Sequence, residues 1–89
     1  PFPNSGWVQL QKLPVVSGKQ LIKVLARMGY SVVRQKGSHV RLVKSTPVGD
    51  HKITIPLHDE IVKGTLNDIL SKVSLWNGIP KDELIRMIK

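Results

Sequence analysis

The stretch VVRQKGSHVRLVK, residues 32 to 44, sets one histidine directly after a Gly-Ser step, with Arg34, Lys36 and Arg41 as near neighbours of His39 and no carboxylate among them. Imidazole, with an unperturbed pKa of about 6.5, can both accept and release a proton close to neutrality. Three cations beside it repel one another, so the cluster lacks a negative partner that a polyanion would supply. Such a set suits a phosphodiester: the imidazole moves protons while the guanidinium and ammonium groups hold phosphate oxygens and stabilise the charge that builds on phosphorus. RNA fits better than DNA, because its 2′-hydroxyl is an internal nucleophile that needs only a base to activate it. Taken alone, a single histidine beside a turn is more often an ordinary surface residue than a catalyst.

Other candidates are weaker. Lys63-Gly64-Thr65 precedes a helical pattern, where free backbone N–H groups and the helix dipole favour an anion; the plain alternative is a helix cap with a solvated lysine. Lys19, Lys23 and Arg27 recur at i, i+4 and i+8, a stripe able to contact backbone phosphates or to remain a solvated face. His51 and His58, flanked by Asp50, Asp59 and Glu60, invite a test as metal ligands. Seven residues of strand would separate them by about 20 Å, too far for one ion, so no metal site is expected. The chain has no cysteine, which excludes disulfides, thiolate sites and cysteine nucleophiles. A Gly-rich phosphate loop is lacking, no cofactor is implied, and one Tyr and one Phe make a poor platform for stacking bases.

Positioning these residues requires a small set of elements. Ser17 and Gln20 have capping-box spacing and Gly29 suits a left-handed helix end, which predicts a helix over about Gly18 to Met28 with Leu21, Ile22, Leu25 and Met28 inward. Gly37-Ser38 then joins strands Tyr30–Lys36 and His39–Lys44 through a type II′ turn. That turn pairs Lys36 with His39, Arg34 with Arg41 and Val32 with Val43 on a wet face; Gln35 with Val40 and Val33 with Leu42 belong to the core face. STPVGD, residues 45 to 50, reads as a loop, and Ile53, Ile55 and Leu57 as the buried side of a third strand that Pro56 marks as an edge or an end. Thr65 would cap a helix over about Leu66 to Val73, and a short helix starting at Pro80 would carry Leu84, Ile85 and Ile88. Trp76 should pack beneath that last helix, leaving Trp7 near the other chain end. The resulting fold is α+β: helix, three-stranded antiparallel sheet, helix, and a short C-terminal helix, with one sheet face left to solvent.

Eighty-nine residues are enough for one core and too few for two. Fourteen Lys and Arg against six Asp and Glu give a formal net charge of +8, which favours nucleic acid or another anionic partner. Residues 13 to 44 hold seven of those cations and no carboxylate, so the first half should be the binding half. No apolar run reaches the length needed to span a bilayer, and PFPNSGWVQLQK lacks the charged start and apolar segment of a signal peptide. Cytoplasm is the expected location, with no membrane contact.

Four pieces in order, LPVVSGKQLIKVLARMGY, VVRQKGSHVRL, ITIPLH and VKGTLNDIL, resemble the HicA-type toxins, the small mRNA interferases (YcfA-like) of HicA–HicB toxin–antitoxin pairs. The resemblance covers about residues 12 to 73 and is most specific in the Gly-Ser-His step combined with the Lys-Gly-Thr-Leu helix start. It implies a fold similar to the double-stranded-RNA-binding domain, cleavage of mRNA without a metal cofactor, His39 as the catalytic residue, and a HicB-type antitoxin as partner. Residues 13 to 89 would form one HicA-like domain and residues 1 to 12 an N-terminal extension. SLWNGIPKDELIRMIK departs from the family pattern, which has a shorter connection before its last helix. Arg34, Lys36 and Arg41 as phosphate ligands follow from the hairpin register instead. Two rivals stay open: a non-catalytic RNA-binding module of the same fold, and a protein whose basic face binds only an acidic protein.

Overall fold

The computed structural model describes residues 13–88, so the expected extension over residues 1 to 12, Trp7 included, lies outside the described residues. Its elements are α1 (Gly18–Arg27), β1 (Ser31–Lys36), β2 (His39–Thr46), β3 (Gly49–Pro56), α2 (Lys63–Asn77) and α3 (Lys81–Ile88), with the sheet antiparallel in the order β1-β2-β3. This is the α+β layout expected from the sequence. No helix among the described residues is long and apolar enough to cross a membrane.

The first helix starts where the capping box places it. Ser17 Oγ accepts from the Gln20 backbone N–H at 3.1 Å, and Gln20 Oε1 accepts from the Ser17 N–H at 2.8 Å, which satisfies two donors that a helix start leaves bare. Gly29, at φ 106°, turns the chain out of the helix. Leu21 and Leu25 of α1 meet Val40 and Leu42 of β2, Ile53 and Ile55 of β3, Leu66, Ile69, Leu70 and Val73 of α2, and Leu84 and Ile85 of α3 in one core. Odd positions of β2 and even positions of β3 therefore face away from the helices.

Several boundaries differ from the sequence reading. Residues 45 to 50 are not a loop: β2 and β3 continue to Thr46 and Gly49 and are joined by Pro47-Val48 alone, a four-residue turn with Pro at its second position and Gly at its fourth. Thr46 Oγ1 accepts from the Val48 N–H at 3.3 Å and donates to the Gly49 carbonyl at 2.6 Å, which holds this turn shut. Thr65 does not cap α2. The helix begins at Lys63, where Leu66 N–H already bonds the Val62 carbonyl at 2.9 Å, and it runs to Gly78, whose left-handed backbone at φ 63° ends it.

The hairpin register holds at the turn and changes further out. Lys36–His39, Gln35–Val40 and Arg34–Arg41 are paired as expected, and Gly37 at φ 59° with no positive φ at Ser38 agrees with a type II′ turn. Beyond Arg34 a β-bulge leaves Val33 without a partner, so Val32 faces Leu42 and Ser31 faces Val43. The expected Val32–Val43 and Val33–Leu42 pairs are thus displaced by one residue. All of β1 is exposed, Val32 and Val33 included, because the helices cover β2 and β3 and leave this edge strand uncovered.

Candidate active site

Two rows of side chains cross the outer face of the sheet. Lys36, His39 and Pro56 are register partners on β1, β2 and β3, and Arg34, Arg41 and Thr54 form the next row. Residues two apart share a strand face at about 7 Å spacing, so the rows are neighbours on one surface. Arg34, Lys36, His39, Arg41 and Thr54 line an open hollow of about 370 Å³. The sequence-predicted centre is therefore brought together by the type II′ turn, and Thr54 joins it from the third strand.

The hollow is positive and uncompensated. Arg34 lies directly opposite Arg41, an arrangement that destabilises an antiparallel pair. Among the described residues the ion pairs are Lys72–Asp68 at 3.0 Å and Arg86–Glu83 at 3.1 Å, both within helices and neither involving a cation of the hollow. An anion of the size of phosphate would relieve the repulsion and accept from several donors at once.

A second hollow, about 340 Å³, adjoins the first and shares His39 and Thr54 with it. Pro56, the last residue of β3, and His58 beyond it continue its wall, and Ile61, Val62 and Thr65 close it from the loop and first turn of α2. The chain is pinned here by backbone bonds: Leu57 N–H to the Ser38 carbonyl at 2.6 Å, Gly18 N–H to the His58 carbonyl at 2.9 Å, and Ile61 N–H to the Val16 carbonyl at 2.9 Å. Gly18 is required at its place, because a β-carbon there would lie 2.1 Å from the Pro56 oxygen and 2.9 Å from Leu57 Cα.

The remaining candidates are distributed differently. Thr65 borders the second hollow from the first turn of α2, whereas Lys63 lines neither hollow. Lys19, Lys23 and Arg27 are exposed on α1 and also lie outside both hollows. Lys44, on the inner side of β2, is held by Asn77 Oδ1 and sits 5.8 Å above the Tyr30 ring. Among the described residues no group of three His, Cys, Asp or Glu side chains gathers in ion-binding geometry.

His51 is far from the site in role as well as place. It is buried, its Nδ1 and the Tyr30 hydroxyl share a hydrogen bond of 2.6 Å, and its ring stacks on Trp76 with centroids 4.9 Å apart and planes 7° apart. Trp76 accordingly packs against β3, not beneath the last helix as the sequence suggested, since α2 runs on through residue 77 and carries the indole along its side. Asn77 Nδ2 donates to the Tyr30 oxygen at 2.9 Å, completing the buried set. Burial pulls the His51 pKa below its usual value, helped by the Lys72 charge, and burial raises that of Tyr30 against the lowering effect of the Asn77 bond.

Thr54 and His58 were missing from the sequence-predicted site. Both were within reach of the same reasoning: a two-residue Pro47-Val48 turn pairs Thr46 with Gly49, and counting back along the strands pairs Arg41 with Thr54 and His39 with Pro56.

Searches among curated proteins and among solved structures return no match to the chain. The family model described as the HicA toxin of bacterial toxin–antitoxin systems matches residues 18–75, more than half of the chain, from the first residue of α1 to the residue before Trp76. That span contains both rows of the outer sheet face and the loop that pins His58, so the chain belongs to the HicA toxin family.

Proposed function

We propose that this toxin is an endoribonuclease that cleaves mRNA at the outer face of its sheet, with His39 as the proton-transfer residue. The observation that carries this reading is the single exposed imidazole in one hollow with three cations that form no ion pair among the described residues. Arg34, Lys36 and Arg41 hold the scissile phosphate and stabilise its developing charge, and Thr54 offers a hydroxyl to the same group. His39 exchanges a proton with the 2′-hydroxyl or the leaving oxygen. Thr65 and the free N–H groups of the first turn of α2 accept a flanking phosphate at the second hollow. Lys63, Lys19, Lys23 and Arg27 contribute to the general attraction of the strand.

A toxin–antitoxin family implies an antitoxin. A HicB-type protein with an acidic surface would cover the outer face and neutralise the toxin by excluding RNA, in the cytoplasm where mRNA is found.

Purified protein incubated with single-stranded RNA in EDTA is expected to degrade it, and His39→Ala to bind RNA with unchanged affinity while losing cleavage. Binding without cleavage by either form would make the protein an RNA-binding module. Failure to bind RNA at low salt would leave the basic face to an acidic protein partner alone.

A further inference from the structure

One proton acceptor does not complete transesterification of RNA. Attack by the 2′-oxygen on phosphorus forms one P–O bond and breaks the bond to the 5′-oxygen, which must gain a proton as it leaves. One group takes a proton from the 2′-hydroxyl and another gives one to the 5′-oxygen. The products are a 2′,3′-cyclic phosphate and a free 5′-hydroxyl, with no net change in protons. Within the first hollow His39 is the one imidazole, and its other polar neighbours are two guanidinium groups, an ammonium and a hydroxyl, all poor proton shuttles at neutral pH.

We propose that His58 is the second proton-transfer residue, acting across the scissile phosphate from His39. Both imidazoles line the second hollow, and His39 also lines the first, so a phosphate held by Arg34 and Arg41 has one ring within its own hollow and the other just beyond. Their separation is set by backbone rather than by side-chain packing. Ser38 precedes His39, Leu57 precedes His58, and the Leu57 N–H to Ser38 carbonyl bond at 2.6 Å ties the two segments together. The His58 carbonyl is in turn held by the Gly18 N–H at the start of α1. Both rings are exposed, so both are open to a strand lying across the sheet end. Among the described residues no side-chain hydrogen bond engages either ring. The charged groups that share a hollow with His39 are Arg34, Lys36 and Arg41; along the chain, Asp59 and Glu60 follow His58, Lys63 opens α2, and Lys19 follows the Gly18 that bonds the His58 carbonyl.

This assignment rests on the ribonuclease reading, and the test separates the two. Cleavage of a single-stranded RNA oligonucleotide by the full chain in EDTA is measured from pH 5 to 9 for the wild type, His39→Ala, His58→Ala and His58→Asn, with thermal melts as a check on folding. The wild type is expected to give a bell-shaped profile. Each alanine variant should lose about 10²–10⁴-fold in rate and one limb of the bell, and the limbs lost should differ. Asn, which bonds but cannot shuttle a proton, should behave as Ala does. A uridine 3′-phosphate ester with a p-nitrophenolate leaving group needs no proton at departure, so one of the two alanine variants, and not both, should regain most of its rate on it. His58→Ala that keeps both limbs and a rate within threefold of wild type, while His39→Ala is inactive, overturns the role of His58 and leaves the ribonuclease intact. A wild type that does not cleave RNA fails the ribonuclease reading itself.

Discussion

Arg34 and Arg41 face each other across β1 and β2, and among the described residues neither is paired with a carboxylate, a placement that weakens the hairpin it belongs to. Removing one of them should therefore act in opposite directions on stability and on binding. Arg34→Thr is expected to raise Tm at low salt by about 1–4 °C, the gain fading as salt screens the repulsion. The same change should weaken RNA binding and lower the slope of log K against log salt by about 0.7, the contribution of one phosphate contact on a single strand. Melts and filter-binding titrations across a salt series check both. An Arg34→Thr protein that is less stable at low salt would mean that the pair is compensated within the protein. The composition of the cluster, one imidazole among cations, was legible from the residues alone, since a two-residue turn leaves little freedom in who faces whom. Thr54 and His58 were not drawn into it, because taking residues 45 to 50 as a loop hid the two-residue turn, held shut by the Thr46 hydroxyl, that sets the register of the third strand.

Local signals at the two ends of the second helix had unequal weight. Gly78 ends it by adopting a left-handed backbone that other residues avoid, while at its start Thr65 was a plausible cap that packing overrode: burying Leu66, Ile69, Leu70 and Val73 lets the helix extend back to Lys63 without any side-chain cap. The bulge at Val33 escaped the sequence for a related reason, since the consecutive Val32 and Val33 offer an apolar side chain to either face and so fit either register until the helices select which strand they cover. At the start of α1 the local signal and the packing agree, and Gly18 shows what depends on it. Gly18→Ala drives a methyl group into the Pro56 carbonyl and Leu57, which should cost about 1–3 kcal/mol of stability. It also pushes on the segment that carries His58, so cleavage should fall even where the variant is fully folded. Denaturant melts and rates at a temperature well below Tm distinguish the two effects, and an unchanged Tm would show that the segment yields without strain.

Across the chain the polar groups divide between the two sides of the sheet. Outside lie the cations of the site; inside, His51, Tyr30, Trp76, Asn77 and Lys44 form a network against β3. The inner set sets an acid limit. With its folded pKa below the usual value, His51 is neutral when folded, whereas in the unfolded chain it protonates near its ordinary pKa of about 6.5. Above that pH both states hold the neutral ring and its contribution to stability is fully present. As pH falls below it, the unfolded state binds the proton first and stability declines until the folded pKa is reached. Thermal melts between pH 7.5 and 5 should show this loss, and His51→Phe, which keeps a ring against Trp76, should flatten the curve. An equally steep decline in the Phe variant would assign the acid sensitivity to other groups.

The extra residue at Val33 gives the first hairpin a slack link between its two ends. Toward the turn, strand pairing answers to Lys36 and His39; toward the other end, it leads back to Tyr30 and the buried ring of His51. A change of length or twist near Tyr30 can be absorbed at the kink before it reaches the imidazole at the bend. The inner scaffold and the basic outer face can thus vary separately, although both hang on a single ribbon.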